Sequence, residues 1–289
     1  MSLRKLLRSF YHALLNLRPR RVTKATVVSV CQPDLLRNKY ALITGGTSGI
    51  GFAIARAFLE SGASVVIAAR RKDKLEDSVK ELSSCLHSGQ SIKAVCLDCS
   101  NPQSFSEAID QAEKEIGCTC FDILVNNAGI GGGQWGHCDE NDFDRVVDTN
   151  LKGAFFLSQT VAARMIQNKV KGNILNVASS SSLRPAVSAY MISKWGIRGL
   201  TVGLAKTLIP HGIVVNGIAP GPTATPMLAH DRNDIYLPAN PSGRFVLPEE
   251  IANFAVMLCS PAGRMVVGDI LYITGGSGVT TFDDIKYGI

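Results

Sequence analysis

Short, nearly uninterrupted apolar runs alternate with helix-length segments along most of this chain, and that alternation limits its fold more than any other feature. Tyr40–Thr44, Ser64–Ala69, Ile92–Asp98, Phe121–Asn126, Asn173–Ala178, Ile213–Ala219 and Ile270–Thr274 are rich in Val and Ile and read as strands. Continuous apolar character belongs to strands buried on both faces, hence to a parallel sheet between two helix layers. The segments between them, 49–61, 72–86, 102–117, 141–169, 188–210 and 248–260, are long enough for crossover helices. The reading is a doubly wound α/β fold with a seven-stranded parallel sheet and helices on both faces. Right-handed crossovers then place a binding crevice at the carboxyl ends of the strands.

Charge divides the chain in two. Residues 1–38 hold eight basic side chains against one acid, Asp34, for +7, so the net +6 leaves −1 for the remainder. A near-neutral body offers no general attraction for nucleic acid. Within the basic segment, Leu3, Leu6, Leu7, Phe10, Leu14 and Leu17 recur at helical spacing. The division is therefore a basic amphipathic arm, 1–38, and an α/β domain, 39–289. Residues 2–17 suit a membrane-surface helix, a cover for the body or a second subunit, a mitochondrial presequence if the source is eukaryotic, or a disordered tail. No apolar stretch reaches the roughly 18 residues a spanning helix needs. A cytoplasmic protein, or a membrane-associated one held by its arm, is expected. The eight cysteines read as free thiols in a reducing compartment. Cys96/Cys99 and Cys118/Cys120 lack a histidine at ligand spacing, so no metal is expected.

Chemistry-bearing motifs fall at the ends of successive strands. The first turn reads Thr44-Gly45-Gly46-Thr47-Ser48-Gly49-Ile50-Gly51. Glycines there let the backbone approach a pyrophosphate, and the next helix supplies amides and the positive end of its dipole. Asn126-Asn127-Ala128-Gly129 follows the fourth run, Asn150 lies in the next helix, and Ser179–Ser182 follow the fifth run. Tyr190 and Lys194 are one helical turn apart, and Pro220-Gly221-Pro222-Thr223-Ala224-Thr225 follows the sixth run. Any one of these has a bland reading as a strand-end turn or an i, i+4 surface pair. All of them in one chain, in this order, leave that reading little room.

The set TGxxxGxG, NNAG, Asn and YxxxK resembles the short-chain dehydrogenase/reductase family, in its single-domain Rossmann-fold branch, over roughly residues 39–278. The longer epimerase/dehydratase branch shares YxxxK but carries a TGxxGxxG turn. The resemblance implies an oxidoreductase that moves a hydride between a nicotinamide cofactor and a carbonyl or secondary alcohol of a small molecule. It implies Tyr190 as the acid/base and Lys194 as the group that favours its phenolate and holds the nicotinamide ribose. Asn150 would continue a proton relay. Thr44, Gly45, Gly49, Ile50 and Gly51 would line the pyrophosphate, Asn127, Ala128 and Gly129 the far side of the cofactor, and Asp98 the adenine. Pro220, Gly221, Thr223 and Thr225 would face the nicotinamide carboxamide. The family's serine stands about 13 positions before the tyrosine, where this chain has Val177; aligning the strand instead selects Ser179, with Ser180 in reserve. A homodimer or homotetramer, packed through 141–169 and 188–210, is also implied. The non-enzyme alternative is a catalytically silent NADP-binding regulatory or scaffold protein.

At the end of the second run, Ala69 stands where an NAD enzyme places an acid, and Arg70 follows. A guanidinium grips a 2′-phosphate through a paired fork, so NADP(H) is expected, with NAD(H) the alternative. No cluster in 226–245 or 183–185 selects a substrate. Arg184 reads as an anion contact or as a solvated loop arginine.

Overall fold

The computed structural model describes residues 23–30, 33–228 and 234–278. Its sheet contains β1 (Tyr40–Thr44), β2 (Ser64–Ala69), β3 (Ile92–Cys96), β4 (Ile123–Asn126), β5 (Asn173–Val177), β6 (Val214–Pro220) and β7 (Ile270–Ile273). All seven are parallel, in the order β3-β2-β1-β4-β5-β6-β7. The order reverses between β1 and β4, and there the crevice of a doubly wound sheet opens. The strands expected at these positions form, trimmed by one or two residues at some ends; Asp98, Phe121 and Ala178 lie just outside theirs.

The crossovers are α1 (Gly49–Glu60), α2 (Lys72–Leu82), α3 (Phe105–Ile116), α4 (Glu140–Val147), α5 (Gly153–Gln167), α6 (Ala189–Leu208) and α7 (Pro248–Cys259). One core packs α1, α2 and α7 on β1 and its neighbours through Ile54, Phe58, Leu75, Ile251 and Val256. The other packs α3, α5 and α6 on the opposite face through Phe105, Ile109, Leu157, Met165 and Leu208. Fully burying an aromatic side chain such as Phe58 or Phe105 contributes about 1.5–3 kcal/mol, so the two cores hold a helix layer on each face of the sheet.

The segment expected as one helix, 141–169, forms as a continuous helical stretch from Glu140 to Gln167 with a π turn inside it. A single π turn, Asp148–Lys152, joins α4 to α5, and Asn150 sits inside it. The extra residue of a π turn re-aims side chains without interrupting the apolar stripe, which is why helical spacing does not reveal it. A buried polar chain ties α5 and α6 to the sheet. Asn126 Nδ2 donates to Ser158 Oγ and to Asn176 Oδ1, both at 2.8 Å, and Asn176 Nδ2 donates to Thr201 Oγ1 at 3.0 Å. Each partner is satisfied, so the chain stiffens the helix that carries Tyr190 at little desolvation cost.

The described part of segment 1–38 lies against the body. Leu36 is buried, and its amide donates to Ser61 O at 2.7 Å. Asn253 of α7 donates to Val28 O at 2.9 Å, and Ala25 packs on Ile235 and Phe245. Residues 2–17, for which an amphipathic helix is expected, lie outside the described residues. No helix among the described residues is long and apolar enough to cross a membrane.

Candidate active site

Glycine at the first turn is required by space and by conformation. Gly45 has φ +65°, and a Cβ there would lie 2.9 Å from Asn127 Nδ2. A Cβ on Gly51 would lie 2.3 Å from both Asn127 Nδ2 and Gly45 O. The same amide locks the turn, since Asn127 Nδ2 donates to Thr44 O at 2.8 Å and to Gly45 O at 3.2 Å. Thr44 Oγ1 returns the brace by accepting from the amides of Asn127 and Ala128, both at 3.0 Å. The Asn127 side chain is therefore spent on the turn itself.

Beyond that turn lies a cavity of about 1000 Å³ at the carboxyl ends of the strands. It is lined by Gly45, Gly49, Ile50, Arg70, Asp98, Asn127, Ala128, Gly129, Ser179, Tyr190, Lys194, Pro220, Gly221, Thr223 and Thr225. Of the residues expected to form the site, Thr44, Gly51 and Asn150 stand behind this wall. Gly49 has φ +55°, and a Cβ there would sit 3.2 Å from Thr225 Cγ2, across from the loop after β6. The missing Cβ keeps a cradle open between the two loops. A dinucleotide fits this wall: glycine backbone and a helix N-terminus in the middle, Arg70 and Asp98 at one side, and Tyr190 with Lys194 at the other. Arg70 is exposed, and Asp98 Oδ1 accepts from Ser100 N and Oγ at 2.9 and 2.8 Å.

The catalytic side is built on β5 and α6. Ser188 caps α6, its Oγ accepting from Met191 N at 3.2 Å, so Tyr190 stands in the first turn at the cavity edge. Its phenol is hydrogen-bonded to the Ser179 hydroxyl. Lys194 is buried, donates from Nζ to Val177 O at 2.8 Å, and lies 5.8 Å from the centre of the Tyr190 ring. Asn150 Oδ1 accepts from Ile130 N at 2.8 Å, and its Nδ2 donates to Ile130 O at 3.0 Å and Ser193 Oγ at 3.1 Å. A Cβ on Gly129 would lie 3.4 Å from Asn150 Oδ1 and 3.6 Å from Lys194 Nζ, so the NNAG loop, the π turn and α6 meet at one point.

Burial governs the protons here. It pushes the Tyr190 phenol above its usual value, and the bond with Ser179 offsets this only in part. It pushes the Lys194 ammonium down to about 8. With its phenol raised in this way, Tyr190 keeps its proton at neutral pH.

Two participants escaped sequence reasoning. Ser193 bridges Asn150 to Tyr190, donating to the Tyr190 carbonyl at 2.7 Å; its place inside YxxxK was the available signal. The Val177 carbonyl holds Lys194 and has no sequence signal. Arg184, for which the sequence offers an anion contact or a solvated loop arginine, is half-buried and lines the cavity.

The comparisons agree with this architecture. A family model described as short chain dehydrogenase matches residues 39–235. A 3alpha-hydroxysteroid dehydrogenase from Mediterraneibacter gnavus is 34% identical over 84% of this chain and 98% of its own length. A 3-oxoacyl-[acyl-carrier-protein] reductase from Thermotoga maritima is 34% identical over 83% of this chain and 98% of its own. Among solved structures, a 3-oxoacyl-[acyl-carrier protein] reductase with bound NAD from Brucella melitensis superposes with a TM-score of 0.78 at 30% identity, covering 89% of this chain and 98% of that one. The L-sorbose reductase from Gluconobacter frateurii, complexed with NADPH and L-sorbose, gives 0.76 at 28%, covering 86% and 99%. The chain belongs to the short-chain dehydrogenase/reductase family. It is an oxidoreductase of the type that uses a nicotinamide cofactor and acts on hydroxyl or keto groups.

Proposed function

We propose that the protein reduces a small-molecule ketone or aldehyde, or oxidises the corresponding secondary alcohol, with NADP(H) as the preferred cofactor. The observation that carries this is the placement of a protonated Tyr190 against Ser179 and one helical turn from Lys194, on the wall of a glycine-floored cavity. The cofactor, when bound, supplies the hydride. Tyr190 Oη supplies the proton that the carbonyl oxygen gains in the same conversion, and Ser179 Oγ holds that oxygen in place. Lys194, charged below about pH 8, binds the nicotinamide ribose and favours the phenolate that remains. Asn150 holds Ile130 and Ser193 in place next to the site and would continue the relay of the returning proton to solvent through water.

Support for NADP(H) comes from Arg70, exposed on the cavity wall where Ala69 leaves no acid to meet a ribose 2′-hydroxyl. Asp98, at the same side of the cavity as Arg70, would face the adenine. A dimer or tetramer is supported by the apolar surface of α5 and α6: Phe155, Phe156, Ile192, Trp195 and Val202 are all exposed on these helices.

The test is a screen of ketones, aldehydes and secondary alcohols, read by nicotinamide absorbance with both cofactors. Turnover with NADPH in excess of NADH is expected. Absence of hydride transfer across all classes, with cofactor binding intact, would contradict the proposal.

A further inference from the structure

We propose that the catalytic end of this cavity takes a substrate bearing an anionic oxygen group, carboxylate or phosphate, and that Arg184 is its anchor. The inference rests on the reductase reading and adds the substrate class to it.

Arg184 follows the short 3-10 turn after β5, on the catalytic side of the sheet. Arg70 follows β2, three strand positions away, or about 14 Å at the usual spacing. The two guanidiniums therefore serve different ends of any bound ligand. A 2′-phosphate held by Arg70 does not reach Arg184. Four of the five charged side chains on the wall are cations: Arg70, Arg71, Lys194 and Arg184, against Asp98 alone among the described residues. Lys194 is committed to the Val177 carbonyl and Asp98 to Ser100. Among the described residues, this leaves Arg184 at the catalytic end as the charge available to a substrate.

Its surroundings hold it in place and leave it underused. Trp195 Nε1, on the same helix as Tyr190, donates to the Arg184 carbonyl at 2.8 Å, and Pro185 follows directly. The Arg184 amide donates to Ser181 O at 3.3 Å. The guanidinium turns inward, where Nη2 donates to Ser277 Oγ and Nε is buried with no hydrogen-bond partner among the described residues. Among the described residues no carboxylate pairs with it. A buried N–H of a charged group left unpaired is costly and rare, and a ligand oxygen is a direct way to satisfy it. Beside it Gly278, at φ +90°, has no side chain; a Cβ there would lie 3.5 Å from Arg184 Nε. The planar fork of arginine, with parallel donors, matches carboxylate and phosphate oxygens.

The experiment compares 4-oxopentanoate and 5-oxohexanoate with their methyl esters, and dihydroxyacetone phosphate with dihydroxyacetone, using the full chain and NADPH at pH 7. The readout is the ratio of kcat/KM for the anion to that for its neutral partner, so that a general loss cancels. The native chain is expected to favour the anion. Arg184→Gln is expected to lower the ratio by about 10- to 100-fold, the scale of a lost charge-assisted hydrogen bond, and Arg184→Lys to retain part of it. The pair that shows the preference tells carboxylate from phosphate. An unchanged ratio in Arg184→Gln, or a native preference for the neutral partners, overturns the anchor while the reductase stands. If neither class is reduced, calorimetric titration of 4-oxopentanoate and of dihydroxyacetone phosphate into the NADP⁺-saturated protein decides. Binding of either that is lost in Arg184→Gln keeps the anion site, and the wider screen then decides the reductase; no binding of either rejects the anchor.

Discussion

The two ends of the cavity are built by different means. At the β1 turn the wall is backbone: Gly45 and Gly49, with Gly51 behind them, are fixed by what a Cβ would strike, and Asn127, at the end of the neighbouring β4, braces the turn together with Thr44 of β1. At the β5–α6 end the wall is side chains: Ser179, Tyr190, Lys194 and Arg184, each held by a partner distant in sequence. A backbone wall accepts the part of a ligand common to all reactions of this kind. A side-chain wall can be re-equipped residue by residue, so chemistry and substrate choice reside there.

Substitutions can break this contrast. The largest effect is expected at the side-chain end, from Tyr190→Phe, which keeps the ring and removes the proton. Turnover in the steady-state assay should fall by about 100-fold or more, while NADPH affinity by fluorescence titration changes little. Arg70→Ala should weaken NADPH by about 1.5–3 kcal/mol and leave NADH nearly unmoved, checked by paired titrations; equal loss for both would assign Arg70 to the fold. At the backbone end, Gly51→Ala drives a methyl into Asn127 and Gly45 and should cost about 1–3 kcal/mol of stability, read as a lowered Tm with weaker cofactor binding. Gly131→Ala, with nothing within 4 Å of its Cβ, should change stability by less than about 0.5 kcal/mol.

The pH dependence should come from the side-chain end alone. Lys194 is a cation whose folded-state pKa is lowered to about 8, so it is charged below that pH and neutral above it. Tyr190, raised above its usual value, stays protonated across the same range. The kcat/KM for carbonyl reduction should therefore fall as pH rises through about 8. Stability carries the opposite sign. Between about 8 and the ordinary lysine value the unfolded chain binds the extra proton, so the Lys194 contribution grows with pH there.

The same contrast decides what the sequence discloses. Glycine spacing at the first turn is legible because each glycine answers a local demand of the backbone. The strands are legible because burial on both faces leaves continuous apolar runs such as Ser64–Ala69. Tyr190 and Lys194 are legible as a pair one turn apart. The π turn at Asp148–Lys152 is hidden, since it preserves the apolar stripe and depends on Asn150 meeting the backbone of Ile130 across the fold. The inward turn of Arg184 is hidden too, because Ser277 and Trp195 reach it only after β7 and α6 are in place. Nor does spacing disclose the proton state of Tyr190, because burial sets it.

The most direct measurement follows the hydride. Wild-type protein is supplied with NADPH deuterated at the transferable position of the nicotinamide ring and a ketone it reduces, and the alcohol is analysed by mass spectrometry. The account predicts an alcohol one mass unit heavier, with the deuterium on the carbinol carbon, formed at least about 100-fold more slowly by Tyr190→Phe. An alcohol without deuterium, or one formed equally fast by the two proteins, would contradict it.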